Sequence, residues 1–251
     1  MSKTLIAQIW DNPDVIGDYN ARTDEVEQFW KPCLQSVKSW AKHNDFNYKT
    51  YSCAELSSCF DLSYLEDPAL SNWERVCVSK IAILNNPKYD RICVMDADIH
   101  IWGNPQLCEG DFCIRVGGRV FPLNTLSFPQ AGIYWTTIGP TIYQWICDQL
   151  KNPGERLQLL RNYRKFSRTP VAYGESGEQM LLCAYLNTHG FTNIDNHVTW
   201  GDTELKIDSF VHFTGKNKLK RFQKFRAAMV YSKIDNFWNQ NEEMLKSKGL
   251  V

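Results

Sequence analysis

The sequence predicts an α/β domain: a mostly parallel central sheet flanked by helices, ending in a short helical tail. Three observations lead there. Strand-length apolar runs alternate with stretches of helical spacing through the first hundred residues. One run, Ile92 to Met95, is apolar without interruption, as strands covered on both faces are. At 251 residues the chain can bury a sizeable core without disulfide or metal staples.

The elements follow in chain order. "TLIAQIW" (4 to 10) is a buried strand handing over to the turn-rich "DNPD". Thr23 is an N-cap with Asp24 and Glu25 in the first turn of a helix that runs toward His43 and bends near Pro32. "NYKTYS" (47 to 52) is a second strand. "SNWERVCVSKIAILN" (71 to 85) has helical spacing and stops at Pro87, and the strand of "YDRICVMDAD" follows. "DFCIRV" (111 to 116), "GIYWTT" (132 to 137) and "SFVHF" (209 to 213) read as strands, while 140 to 151 and 178 to 189 read as helices. No repeat or low-complexity tract appears. The expected organisation is one domain over 1–218 and a helical tail over 219–251 packed on it or adjoining it.

Composition narrows the partners. Lysines and arginines equal aspartates and glutamates at 28 each, so no global field draws the chain to nucleic acid, which is not an expected partner, or to membrane. No signal peptide opens the chain and no apolar run reaches the roughly 20 residues of a membrane span, which fits a cytoplasmic protein. The nine cysteines form no C-x-x-C and mostly sit in apolar runs, as buried thiols of a reducing compartment do.

The chemistry concentrates in "RICVMDADIHIW" (91 to 102), where Asp96 and Asp98 end an apolar strand. In open parallel sheets, ligands bind beyond the carboxyl ends of the strands. Two carboxylates one residue apart at such an end can offer oxygens to one hard divalent cation, Mg²⁺ or Mn²⁺, which relieves the repulsion between them. The alternative is a turn with solvated acids, which the apolar residues on either side do not favour.

"YDRICVMDADIHIW" resembles the D-x-D segment of metal-dependent glycosyltransferases of the GT-A, Rossmann-like fold, and within them the family 8 group of glycogenin and galactosyltransferases. "HFTGKNK" (212 to 218) resembles that group's H-F-x-G-x-x-K signature. The resemblance implies that Asp96, Asp98 and His212 are the metal ligands and that Gly215, Lys216 and Lys218 meet the diphosphate of a nucleotide sugar. "QAGIYW" resembles the N-A-G strand, so Gln130, Ala131 and Gly132 are expected beside the donor, with glutamine in place of asparagine. "GESGEQMLLCAYLN" (174 to 187) resembles the family's D-Q pair that opens a helix beside the reacting sugar carbon, which implies that place for Glu178 and Gln179, with glutamate in place of aspartate. Lys80 stands near the place of an arginine that touches the donor. Ile9, Trp10 and Asp11 stand where the nucleoside binds; Trp10 as a plain core residue is the alternative.

The implied reaction moves a sugar from a UDP-sugar donor to a glycan, lipid-linked or other hydroxyl acceptor. Retention of configuration is implied by the pairing of the histidine signature with the D-Q-like pair, while inversion would use Glu178 as a general base. Two other readings stand beside it. A metal-dependent nucleotidyltransferase would need a Gly-rich basic loop after the first strand, where "DNPDVIGDYN" is acidic. A silent glycan- or nucleotide-sugar-binding module has no evident need for a full metal set. The basic run "GKNKLKRFQKFR" (215 to 226) is a solvated helix face, a peripheral membrane contact or a nucleic-acid contact, and its Leu219, Phe222 and Phe225 form an apolar stripe facing either the domain or lipid.

Overall fold

A computed structural model describes residues 3–10, 25–52, 54–56, 79–116, 129–150, 182, 185–186, 188–200, 206–213, 217–230 and 246. Its main sheet is built around β1 (Thr4–Ile9), which is buried along its whole length. Parallel neighbours flank β1 on both sides, β2 (Asn47–Tyr51) and β3 (Arg91–Met95). Beyond β3 lie β6 (Pro129–Thr136), β5 (Phe112–Val116) and the two-residue β7 (Thr192–Asn193), giving the order β2-β1-β3-β6-β5-β7. Only β6 opposes the rest: it pairs antiparallel with β3 and β5, while β5 and β7 are parallel. The predicted, mostly parallel sheet is present.

Alternation along β1 divides the core. Leu5, Ala7 and Ile9 face one apolar cluster with Ile81, Leu84, Ile142 and Ile146. Ile6 faces the other, with Val37, Trp40 and Ala41 of α1 (Lys31–His43). Helices therefore cover both faces: α1 on one, the helical residues 79–83 and α2 (Gly139–Leu150) on the other. The bend expected near Pro32 takes the form of a π-helical stretch, Val26–Trp30, leading into α1. Proline has no N–H to give the carbonyl four residues back, and the helix widens there. Thr23 and Asp24 lie outside the described residues.

A second, three-stranded sheet was not anticipated. β4 (Ile99–Trp102) pairs antiparallel with β9 (Ser209–His212), which pairs parallel with β8 (Val198–Trp200). Against it packs α3, the helical residues 218–230. Phe222 and Phe225 are buried with Phe29, Trp30 and Phe213, and Leu219 lies against the same cluster. Of the two orientations open to the apolar stripe, the structure has the inward one. Within the described residues of the predicted helix at 178–189, residues 182, 185–186 and 188–189 are helical. No helix among the described residues is long and apolar enough to cross a membrane. Cys33, Cys93 and Cys113 are buried free thiols, as expected of core cysteines.

Candidate metal centre

The two sheets meet at the carboxyl end of β3. Pairing of β1 with β3 stops at Gln8 and Met95, so Asp96 is the first residue beyond the ladder. Its N–H donates to Gly132 O of β6 (2.7 Å), and its carbonyl accepts from Ile99 N (3.2 Å), closing a tight turn over 96–99. The chain leaves this turn as β4, whose first residue, Ile99, stands opposite His212 of β9. Phe213 N then donates to Asp98 O (3.2 Å). Main-chain pairing thus brings a residue more than a hundred positions away against the two aspartates.

Asp96, Asp98 and His212 each offer a ligand atom, and the three atoms lie within 4.8 Å of one another. His212 Nε2 is 3.2 Å from Asp98 Oδ1 and 3.7 Å from Asp96 Oδ2. Ligands about 2.1 Å from one octahedral ion sit about 3 Å apart at adjacent positions and about 4 Å apart at opposite ones. The spacing fits. A second observation agrees: Asp98 Oδ1 is fully buried, and the His212 ring nitrogen 3.2 Å away is too poorly aligned to make a full hydrogen bond to it, an arrangement that a cation between the two would relieve. Two carboxylates and an imidazole form a donor set that can hold a divalent metal ion.

Two lysines complete the cluster. Lys218 Nζ donates to Asp98 Oδ2 (2.6 Å), and Lys80 Nζ to Asp96 Oδ1 (2.7 Å). Burial alone would raise the Asp98 pKa, but the Lys218 ammonium and His212 outweigh it and hold the carboxyl well below the usual carboxylate range. The Asp96 side chain is 32% exposed, those of Asp98 and His212 only 5% and 6%, so the cluster opens on the Asp96 side. Gly132 is sterically required: a Cβ there would lie 2.1 Å from His212 Cε1.

Other candidates surround this centre. The Lys218 ammonium lies 4.9 Å from the centre of the Trp30 ring, and Trp30 is 5.6 Å from the Trp10 ring, centroid to centroid. Trp10 is half-buried against the same aromatic cluster as Phe29 and Phe213, while Ile9 and Ala131 are buried in the main core. Gln130 lies on β6 two residues before Gly132, its side chain outside the described set. Asp11, Glu178, Gln179, Gly215 and Lys216 lie outside the described residues. Sequence reasoning missed Trp30, whose cation contact follows no motif. It also missed Gln8, although a glutamine inside "TLIAQIW" was a visible anomaly.

No protein-family model matches the chain, and a search of curated proteins finds no match. Solved structures do match. A glycosyltransferase involved in the glycosylation of the major capsid of PBCV-1 superposes with a TM-score of 0.51 at 10% identity, over 90% of this chain and 99% of its own. Mouse xyloside xylosyltransferase 1 gives 0.48 at 10% identity over 87% and 98%. The galactosyltransferase LgtC, in complex with donor and acceptor sugar analogs, gives 0.47 at 9% identity over 89% and 95%. With the strand order described above, the first superposition establishes the fold: a mixed α/β domain of GT-A type.

Proposed function

We propose that the chain is a metal-dependent glycosyltransferase that moves a sugar from a UDP-sugar to a hydroxyl of a glycan or lipid-linked acceptor. The observation that carries this reading is the convergence of Asp96, Asp98 and His212 at the end of β3, with one ligand atom from each within 4.8 Å of the others. The GT-A fold and the glycosylating role named for the PBCV-1 protein support it. Asp96, Asp98 and His212 would hold a divalent ion, Mn²⁺ or Mg²⁺, which when bound would supply Lewis-acid stabilisation of the leaving diphosphate.

The chain's own residues do the rest. Lys218, beside Asp98, is within reach of the same diphosphate charge; Lys80 holds the Asp96 carboxylate in place and adds a second cation at the open side. Gly215 and Lys216 share the diphosphate, and Gln130, Ala131 and Gly132 form the wall beside the donor sugar. Ile9, Trp10 and Asp11 border the nucleoside. Glu178 binds sugar hydroxyls and Gln179 faces the anomeric carbon, in a reaction that retains configuration.

The test follows nucleotide-sugar consumption by NMR over a panel of UDP- and GDP-sugars with Mn²⁺, Mg²⁺ or EDTA, with Asp98→Asn as control. The expected outcome is slow hydrolysis of one UDP-sugar, only with metal, and reduced about a hundredfold or more in a variant that keeps its circular dichroism spectrum. An Asp98→Asn rate equal to wild type sinks the metal assignment, and donor turnover undiminished in EDTA does the same.

A further inference from the structure

The most unusual buried group near the centre is a neutral amide. Gln8 is fully buried near the carboxyl end of β1, on the face that carries Ile6 toward Val37, Trp40 and Ala41 of α1. An aliphatic side chain would pack there without the desolvation cost of an amide. Both ends of the amide are nonetheless satisfied. Nε2 donates to the Asp96 carbonyl (2.9 Å), and Oε1 accepts from the Tyr48 hydroxyl of β2 (3.0 Å). The orientation is chemically determined. A carbonyl can only accept, so the amide NH₂ must face Asp96, its oxygen must face Tyr48, and the tyrosine must donate. Tyr48 suits that role, since burial pushes its hydroxyl up to about 12 and keeps the proton on it.

The position of this bond gives it meaning. Asp96 is where the β1–β3 ladder ends, and the Gln8 side chain reaches one residue further than the main-chain pairing does. The N–H of Asp96 is held by Gly132 O, and its carbonyl by Gln8 Nε2 and Ile99 N. Those two groups belong to the peptide planes on either side of the Asp96 Cα. Fixing both planes fixes φ and ψ, and with them the direction of the Cα–Cβ bond. Without the amide, the turn bond from Ile99 is the remaining hydrogen bond to the Asp96 carbonyl among the described residues.

Resting on the metal reading above, we propose that Gln8 is a positioning residue: through the Asp96 carbonyl it sets the direction from which the Asp96 carboxylate meets the cation. It touches neither metal nor donor. Partners of this kind, behind a ligand, typically change metal affinity by ten- to a hundredfold.

The experiment compares wild type, Gln8→Met and the double variant Gln8→Met/Tyr48→Phe, with Mn²⁺ binding read by electron paramagnetic resonance and Tm by thermal unfolding. Gln8→Met alone leaves the half-buried Tyr48 hydroxyl without its acceptor, so both Tm and Mn²⁺ affinity are expected to fall. The double variant removes that hydroxyl, and the Asp96 carbonyl keeps Ile99 as a donor. Its Tm is expected to return toward wild type while Mn²⁺ binding stays about tenfold weaker. An affinity that recovers together with Tm shows a purely structural role and overturns the proposal, as does a Gln8→Met protein that binds Mn²⁺ like wild type. If wild type itself binds no Mn²⁺, the metal reading and this proposal fall together.

Discussion

Gly132→Ala is the sharpest perturbation of the centre, because its effect can be worked out from one distance. Gly132 is not among the positive-φ glycines, so alanine meets no backbone objection and the whole effect is steric. The new Cβ would lie 2.1 Å from His212 Cε1 and 2.8 Å from both ring nitrogens. Carbon atoms in contact settle about 3.5 Å or more apart, so the ring and the strand must separate by about 1.4 Å. His212 is buried and its strand is paired to both β4 and β8. If β6 yields instead, Gly132 O moves away from Asp96 N, and a second ligand is displaced. Metal–ligand distances tolerate only about 0.2 Å, so either movement removes a ligand. The expected result is loss of Mn²⁺ binding by at least about a hundredfold, with an overpacking penalty of about 1–3 kcal/mol that leaves the domain folded. Mn²⁺ titration followed by electron paramagnetic resonance, beside urea unfolding of the same protein, measures both. A folded Gly132→Ala protein that binds Mn²⁺ as tightly as wild type would refute the assignment of His212 as a ligand.

Two predictions concern the packing of the tail. His100 on β4 stacks edge-on against Phe222 and Phe225, and burial, aided by Arg226, pulls its pKa down to about 4. The folded state therefore prefers neutral His100: its contribution is complete above about pH 6.5 and is lost as pH falls toward 4, by about 3 kcal/mol in all. His100→Leu should flatten the wild-type loss of stability between those limits, and unfolding midpoints at pH 7 and 4.5 that move equally in both proteins would contradict this. Phe225 is buried against Phe213, Trp102 and His100. Its replacement by alanine should destabilise the domain by about 3–5 kcal/mol in chemical unfolding. A loss under about 1 kcal/mol would mean that α3 is not part of the cooperative core.

What the sequence disclosed and what it concealed divide along physical lines. The candidate ligands that the structure brings together were legible in two ways: the acids by their spacing at a strand end, the histidine by the signature its segment resembles. The covered strand β3 was legible as an unbroken apolar run, and β1 as a run interrupted only by Gln8. The reversal of β6 was not, since its residues read the same in either direction and direction is decided by how the chain returns to the sheet. β7 and β8 span two and three residues, too short for any period to register. β4 is hidden for a different reason: its four residues follow the aspartate turn directly, and Ile99 and Ile101 look like the apolar flank of that turn rather than a separate strand. Lys80 was expected at the donor and is found on the Asp96 carboxylate, a contact that depends on how the helix ending near residue 84 lies across β3. Gln8 was visible only as an exception to its own run.

The centre also explains why spacing, rather than composition, carries the information in its motifs. Asp98 and His212 meet because β4 begins at Ile99 and pairs Ile99 with His212, and Phe213 N returns to Asp98 O. Side chains alternate between faces along a strand, so a one-residue change between Asp96 and Ile99, or between Phe210 and His212, would turn a ligand to the wrong face. The lysine answers to a different constraint. It enters from the start of α3, which is seated by Phe222 and Phe225 on the small sheet. The distance from His212 to Lys218 is then the length of chain needed to leave β9 and begin that helix. Asp98 is held from both sides by elements that belong to one aromatic core, with His212 on its strand and Lys218 on its helix. α3 is therefore a wall of the candidate site as well as a support for the fold, and its packing and the charge balance around Asp98 cannot be altered independently.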